Sequence, residues 1–88
     1  MQYNRLKQIV LESVSGNGWF SSKDIDRSLR NERNVEVSIR ALQMALLRYF
    51  RQGLLERERH SGRYLYRLSS RGGQRLSWLR SLARSSTE

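Results

Sequence analysis

The sequence contains no cysteine and no proline, and its 88 residues include a single histidine. The absence of cysteine excludes disulfides, thiolate zinc sites and cysteine nucleophiles, and it suits a reducing cytoplasm. With one histidine and no clustered pair of acids, the chain offers no constellation for acid–base or metal chemistry, so we expect a non-enzyme without a cofactor. No apolar run approaches the ~20 residues of a membrane span and no signal-peptide pattern opens the chain, so we expect a cytoplasmic protein without a membrane partner.

Acidic residues are also scarce, because 17 lysines and arginines against 8 aspartates and glutamates give a formal net charge of +9. Residues 1–44 carry 7 basic and 5 acidic side chains, whereas residues 45–88 carry 10 and 3. Only Lys7 and Lys23 are lysine, and arginine forks bind phosphates and guanine edges at two points. A GC-rich genome would equally explain the ratio of arginine to lysine, but not the net charge. The charge predicts an anionic partner: nucleic acid, a membrane surface or an acidic protein.

Chain length and periodicity predict one domain over residues 1–88, with an α+β, mostly helical fold in the order α-α-α-β-β-α. Apolar residues at three- and four-residue steps indicate helices, and alternation indicates strands. The predicted helices are about 2–15, 22–30, 37–52 and 70–84, with 85–88 as a frayed tail. The predicted strands are 54–59 and 63–68 around a turn at His60-Ser61-Gly62, with a short strand near Trp19-Phe20. Asn31–Asn34 is polar without periodicity and is predicted to be a turn.

The third predicted helix has two distinct faces. Its inward face holds apolar side chains that we expect in the core, namely Ile39, Leu42, Leu46, Tyr49 and Phe50. The opposite face combines arginines with apolar side chains, namely Arg40, Met44, Leu47, Arg48 and Arg51, with Gln43 at the boundary. Such a face predicts contact with a partner. Tyr64 and Tyr66 of the second long strand are also expected in the core.

Three segments carry a family resemblance through their order and spacing. The first is WFSSKDIDRSL, from Trp19 to Leu29. The second, LLRYFRQGL from Leu46 to Leu54, follows the pattern L-x-x-L-x-x-x-G-L with tyrosine at the second leucine. The third, YLYRLSSRG from Tyr64 to Gly72, is similar to Y-x-L-T-x-x-G with serine for threonine. Together, over about residues 5–83, they resemble the winged helix-turn-helix domain of prokaryotic and archaeal transcription regulators.

The resemblance implies double-stranded DNA binding and transcription regulation, and association with the nucleoid in a prokaryote. The third helix would be the recognition helix in the major groove, and the arginine-tipped hairpin, about 54–68, would be the wing. The candidate nucleic-acid contacts are Lys23, Ser38, Arg40, Gln43, Met44, Leu47, Arg48, Arg59, His60, Ser61 and Arg63. Arg57 and Arg67 are instead expected to pair across the strands with Glu56 and Glu58.

The residues leave two other functions open. A strongly basic winged helix also suits RNA or ribosome binding, because arginines reading the shape of duplex RNA would look the same in sequence. A protein-interaction module would use Met44, Leu47 and Trp78 as its contact surface. The last helix has a broad apolar arc, which predicts a homodimer surface. The expected dimer residues are Leu76, Trp78, Leu79 and Leu82.

Overall fold

Four helices and a small antiparallel sheet alternate along the chain in the computed structural model. It describes the backbone of residues 3–85 and the side-chain environment of residues 5–82. The elements are α1 (Tyr3–Ser13), β1 (Phe20–Ser21), α2 (Ser22–Arg33), α3 (Ile39–Arg51), β2 (Leu55–His60), β3 (Arg63–Leu68) and α4 (Ser70–Ser85). The predicted α+β, mostly helical class is confirmed. Residue 2 of the first predicted helix and residues 86–88 of the predicted tail lie outside the described residues.

The predicted turn at Asn31–Asn34 is wrong, because α2 continues to Arg33 and Asn34 is its C-cap. Asn34 adopts the left-handed conformation, with φ of 54°, and its N–H donates to the carbonyl of Leu29. Asparagine tolerates this conformation better than most residues, so it closes the helix as glycine often does. The next helix starts with Ser38 as its N-cap, whose Oγ accepts from the N–H of Ala41 at 3.1 Å.

The core lies where the helices meet one face of the sheet. The predicted burial of Leu42, Leu46 and Tyr49 is confirmed, since all three are fully buried. Ile39 and Tyr64 were also expected there, but they are 45% and 41% exposed. Ile39 is the first residue of α3, at the end of the inward stripe, and Tyr64 is the second residue of β3, next to the hairpin turn. No helix in the described part of the chain has the length and apolar character that a membrane crossing requires.

β3 is the central strand of the sheet, and it pairs with β1 on one side and β2 on the other, both antiparallel. Its register places Tyr66 opposite Phe20 and opposite Arg57. At the hairpin turn Ser61 and Gly62 have φ of 50° and 80°. Two successive positive φ values suit the tight turns that match the twist of paired strands, so the predicted turn is confirmed.

The end of α3, the start of β2 and the start of α4 are joined at Leu54. Gly53, with φ of 79°, ends α3, and the Leu54 N–H donates to the Tyr49 carbonyl at 2.9 Å. The Leu54 carbonyl accepts from the N–H of Ser69 at 3.1 Å. The Ser69 Oγ donates to the Gly53 carbonyl at 2.6 Å and accepts from the N–H of Gly72 at 2.9 Å. These bonds fix the hairpin relative to both helices.

Gly72 is the tightest point of this junction and gives a test of it. A Cβ at Gly72 would lie 1.9 Å from the Leu54 carbonyl oxygen, so Gly72→Ala forces the backbone apart. We expect it to cost about 2–3 kcal/mol of unfolding free energy in urea denaturation. Gly73→Ala is the matched control, because its nearest contact would be 3.9 Å away and alanine favours a helix. Equal stability of the two variants would contradict this account.

Candidate nucleic-acid interface

A groove opens between the N-terminus of α2, the outer side of α3 and the β2–β3 hairpin, which we call the wing. Its volume is about 430 Å³. Its lining, which defines the wing groove, consists of Ser21, Ser22, Lys23, Gln43, Leu47, Arg57, Gly62, Arg63, Tyr64 and Tyr66. The lining contains three cationic side chains and no carboxylate. The wing groove is therefore suited to an anionic, partly apolar ligand.

The N-terminus of α2, which lines part of the groove, begins with a capping box. The Ser21 Oγ accepts from the N–H of Asp24 at 3.1 Å, and the Ser21 N–H donates to the Asp24 carboxylate at 3.0 Å. The hydrogen bond from the Ser21 backbone lowers the pKa of Asp24 below its usual value. Because Lys23 lies between the two capping partners, the cap fixes the turn of helix that carries it.

Arg57 connects the wing to α3 by stacking. Its guanidinium lies 4.2 Å from the ring centre of Phe50 and 4.0 Å from that of Tyr64. The predicted pairing of Arg57 with a glutamate is wrong, since none of the described ion pairs includes it. The half-buried guanidinium instead lies against two rings, which favours a planar cation. The other predicted pair is confirmed, with Arg67 Nε 2.6 Å from the Glu56 carboxylate.

The structure brings four of the predicted contacts together at the wing groove, namely Lys23, Gln43, Leu47 and Arg63. The others lie outside the groove lining, and all of them are exposed: Ser38, Arg40, Met44, Arg48, Arg59, His60 and Ser61. Met44 is 54% exposed, which agrees with its predicted outward position on α3.

Sequence reasoning missed Arg57 and Tyr64 as groove residues. The signal that could have found them is the hairpin register. Arg57 faces Tyr66 and Arg59 faces Tyr64, so arginine and tyrosine side chains alternate across one face of the wing. Whether an arginine of the hairpin pairs with a carboxylate or stacks on a ring depends on the side chains that pack against it. For Arg57 one of these is Phe50, which belongs to α3.

The predicted dimer surface on α4 needs correction. Leu76 and Leu79 are buried in the core of the single chain, so they are not available to a partner. Trp78 and Leu82 are 50% and 44% exposed. The two buried leucines occupy the inward stripe of α4 against α1, and the other two lie on its outer side.

No protein-family model matches the chain, and no curated protein sequence matches it. The helix and strand order and the three-stranded antiparallel sheet are compatible with a winged helix. Among the described residues, no three histidine, aspartate or glutamate side chains gather where they could hold a metal ion.

The stacking of Arg57 predicts a difference between neighbouring arginines of the same strand. Arg57→Ala removes contacts with two rings, so we expect it to cost about 1–2 kcal/mol of unfolding free energy. Arg59→Ala is the control, because the Arg59 guanidinium is 5.8 Å from the Tyr64 ring and the residue is exposed. Urea denaturation of both variants measures the difference. An Arg57→Ala protein as stable as the Arg59→Ala protein would contradict the stacking role.

The lowered pKa of Asp24 predicts how the cap of α2 responds to pH. Its ionised form stabilises the fold above the unfolded-state pKa of about 3.9, and this contribution is lost as pH falls through the lower folded-state value. Asp24→Ala should therefore lower the melting temperature at neutral pH, and the difference from the parent should shrink in acid. Thermal unfolding by circular dichroism across pH measures it. A difference that stayed constant down to about pH 2 would contradict the assignment.

Proposed function

We propose that this chain binds double-stranded DNA as a winged helix and regulates transcription by occupying its site. In this proposal α3 lies in the major groove, and the wing contacts the adjacent backbone. The observation that carries it is the wing groove, where α2 and the wing present three cations beside α3 and the lining holds no carboxylate.

The outer face of α3 has the dimensions and chemistry that base contact requires. Its 13 residues span about 20 Å at a rise of 1.5 Å per residue, and the DNA major groove, ~12 Å wide, admits a helix. Arg40 and Gln43 are exposed on this face near the start of α3. Arginine pairs with guanine and glutamine with adenine through two hydrogen bonds each, so these two residues are the proposed base readers.

The wing and the start of α2 supply the proposed phosphate contacts. Arg59 and Arg63 lie beside the exposed turn of the wing, and Lys23 is held in the first turn of α2. The α2 side and the wing side of the groove lining therefore each carry a cation. Positions on either side of a recognition helix suit the sugar–phosphate backbone, which fixes register without reading sequence.

Salt dependence tests the proposal. Four phosphate contacts, by Lys23, Arg48, Arg59 and Arg63, predict that log affinity falls with log salt at a slope of roughly 3–4 per chain. Arg59→Ala/Arg63→Ala should reduce the slope by about 2. Arg30→Ala is the control, because Arg30 pairs with Asp26 on α2. Fluorescence anisotropy with a short random-sequence duplex measures all three. A slope near zero for the parent protein would exclude this mode of binding.

RNA duplex is the main competing ligand, and direct competition separates it from DNA. The major groove of A-form RNA is too narrow for side chains to read, so α3 favours B-form DNA. We expect a DNA duplex to displace an RNA duplex of the same sequence from the protein. The reverse order of affinity would replace the DNA proposal with RNA binding.

One observation favours a second candidate, a protein-interaction surface on α3. Ile39 and Met44 are large apolar side chains that are about half exposed on this helix. Ile39→Gln/Met44→Gln should leave the salt slope of DNA binding unchanged, because neither side chain contacts phosphate in the proposed complex. If the parent protein bound neither DNA nor RNA, the protein-interaction candidate would become the better one.

A further inference from the structure

α4 has a basic face that is separate from the wing groove. The helix carries four arginines and no acidic residue. Arg71, Gln74, Arg75 and Trp78 line a shallow depression of about 310 Å³, and none of them lines the wing groove. Their spacing of three and four residues places them on one side of the helix. We call these four residues the α4 face.

The arginines of the α4 face are not balanced by described carboxylates. The described ion pairs include Arg80 of α4, whose guanidinium lies 3.6 Å from the Glu12 carboxylate, but neither Arg71 nor Arg75. The Arg75 guanidinium instead lies 5.3 Å from the ring centre of the half-exposed Trp78. A guanidinium held against a ring keeps its N–H donors in its own plane, where they are available to an anion.

We propose that the α4 face binds the phosphate backbone of a second DNA duplex while α3 and the wing hold the first. This inference rests on the proposed function. Arg71 and Arg75 are about 6 Å apart along the helix axis, and a DNA strand presents a phosphate every ~3.4 Å of its axis. Both side chains therefore reach phosphates of one strand. Gln74 lies between them and adds a neutral donor.

Charge also argues against a second copy of this chain as the occupant. Packing the α4 face against that of a second copy would bring Arg71 and Arg75 of each copy together, and the helix has no acid of its own to pair with them. Such an interface would have to overcome like-charge repulsion. A DNA duplex is anionic and attracts these arginines, and their binding to it is favoured further because condensed counterions are released.

A duplex-bridging assay tests the inference. One duplex is immobilised on beads, the protein is added, and capture of a second, fluorescent duplex is measured. We expect Arg71→Glu/Arg75→Glu to reduce capture by about tenfold or more, and to change the affinity for a single duplex by about twofold at most. Arg5→Glu/Arg27→Glu is the matched control, since it makes the same change in net charge on α1 and α2. The control should retain capture.

The outcomes separate this inference from the proposed function. A parent protein that binds one duplex but captures no second duplex would overturn the inference and leave the proposed function standing. A parent protein that binds no duplex would overturn both. Capture that survives Arg71→Glu/Arg75→Glu unchanged would also overturn the inference.

Bridging by a protein dimer is the remaining route to capture, and it needs its own control. Sedimentation velocity of the DNA-free protein gives the oligomeric state, which we expect to be monomeric. Leu82→Ala removes an exposed apolar group of α4 that lies outside the α4 face and leaves the arginines of the helix in place, so capture should persist. A dimer that this variant dissociates, with capture lost at the same time, would overturn the inference in favour of self-association.

Discussion

The close approach of Gly72 to the Leu54 carbonyl is the constraint on which the geometry of the molecule depends. This contact joins the first turn of α4 to Leu54, which lies in the connection between α3 and β2. The same carbonyl accepts the N–H of Ser69, so β3 returns to the point from which β2 departs. The angle between α3 and the wing is therefore set by backbone contacts. Because the wing groove lies within that angle, its shape depends on a position where a side chain cannot fit.

Among the described cationic side chains, two groups have different physical roles. Lys23, Arg57 and Arg63 line the wing groove, whereas a second group pairs with carboxylates elsewhere. Arg33 and Arg80 both approach the half-buried Glu12 carboxylate, and so join α1, α2 and α4 through one acid. Arg67 is bonded to Glu56 across the hairpin. These arginines hold elements together, and none of them lines the wing groove. Net charge alone does not separate the two groups, since only the fold shows which arginines have carboxylates beside them.

Much of the fold follows from local pattern, and the candidate site follows from it only in part. Periodicity identified both faces of α3, and turn chemistry identified the hairpin. Periodicity gave the wrong burial for Ile39 and Tyr64, because an apolar stripe shows the direction of the core and not how far it extends. It also failed at Arg57, whose partner ring comes from another element. The wing groove itself was not predictable, because it depends on the angle at Gly53-Leu54 rather than on any single segment.

The order of strands in the sheet has a consequence for association between molecules. β2 is an edge strand, and an exposed edge offers unpaired backbone groups to any other strand in solution. Its sequence, LERERH, places a charged side chain at each of the four positions after Leu55. The opposite edge, β1, is only two residues long. Both features are known deterrents to edge-to-edge growth, so the charges of the wing also protect the sheet from polymerising through its own hydrogen bonds.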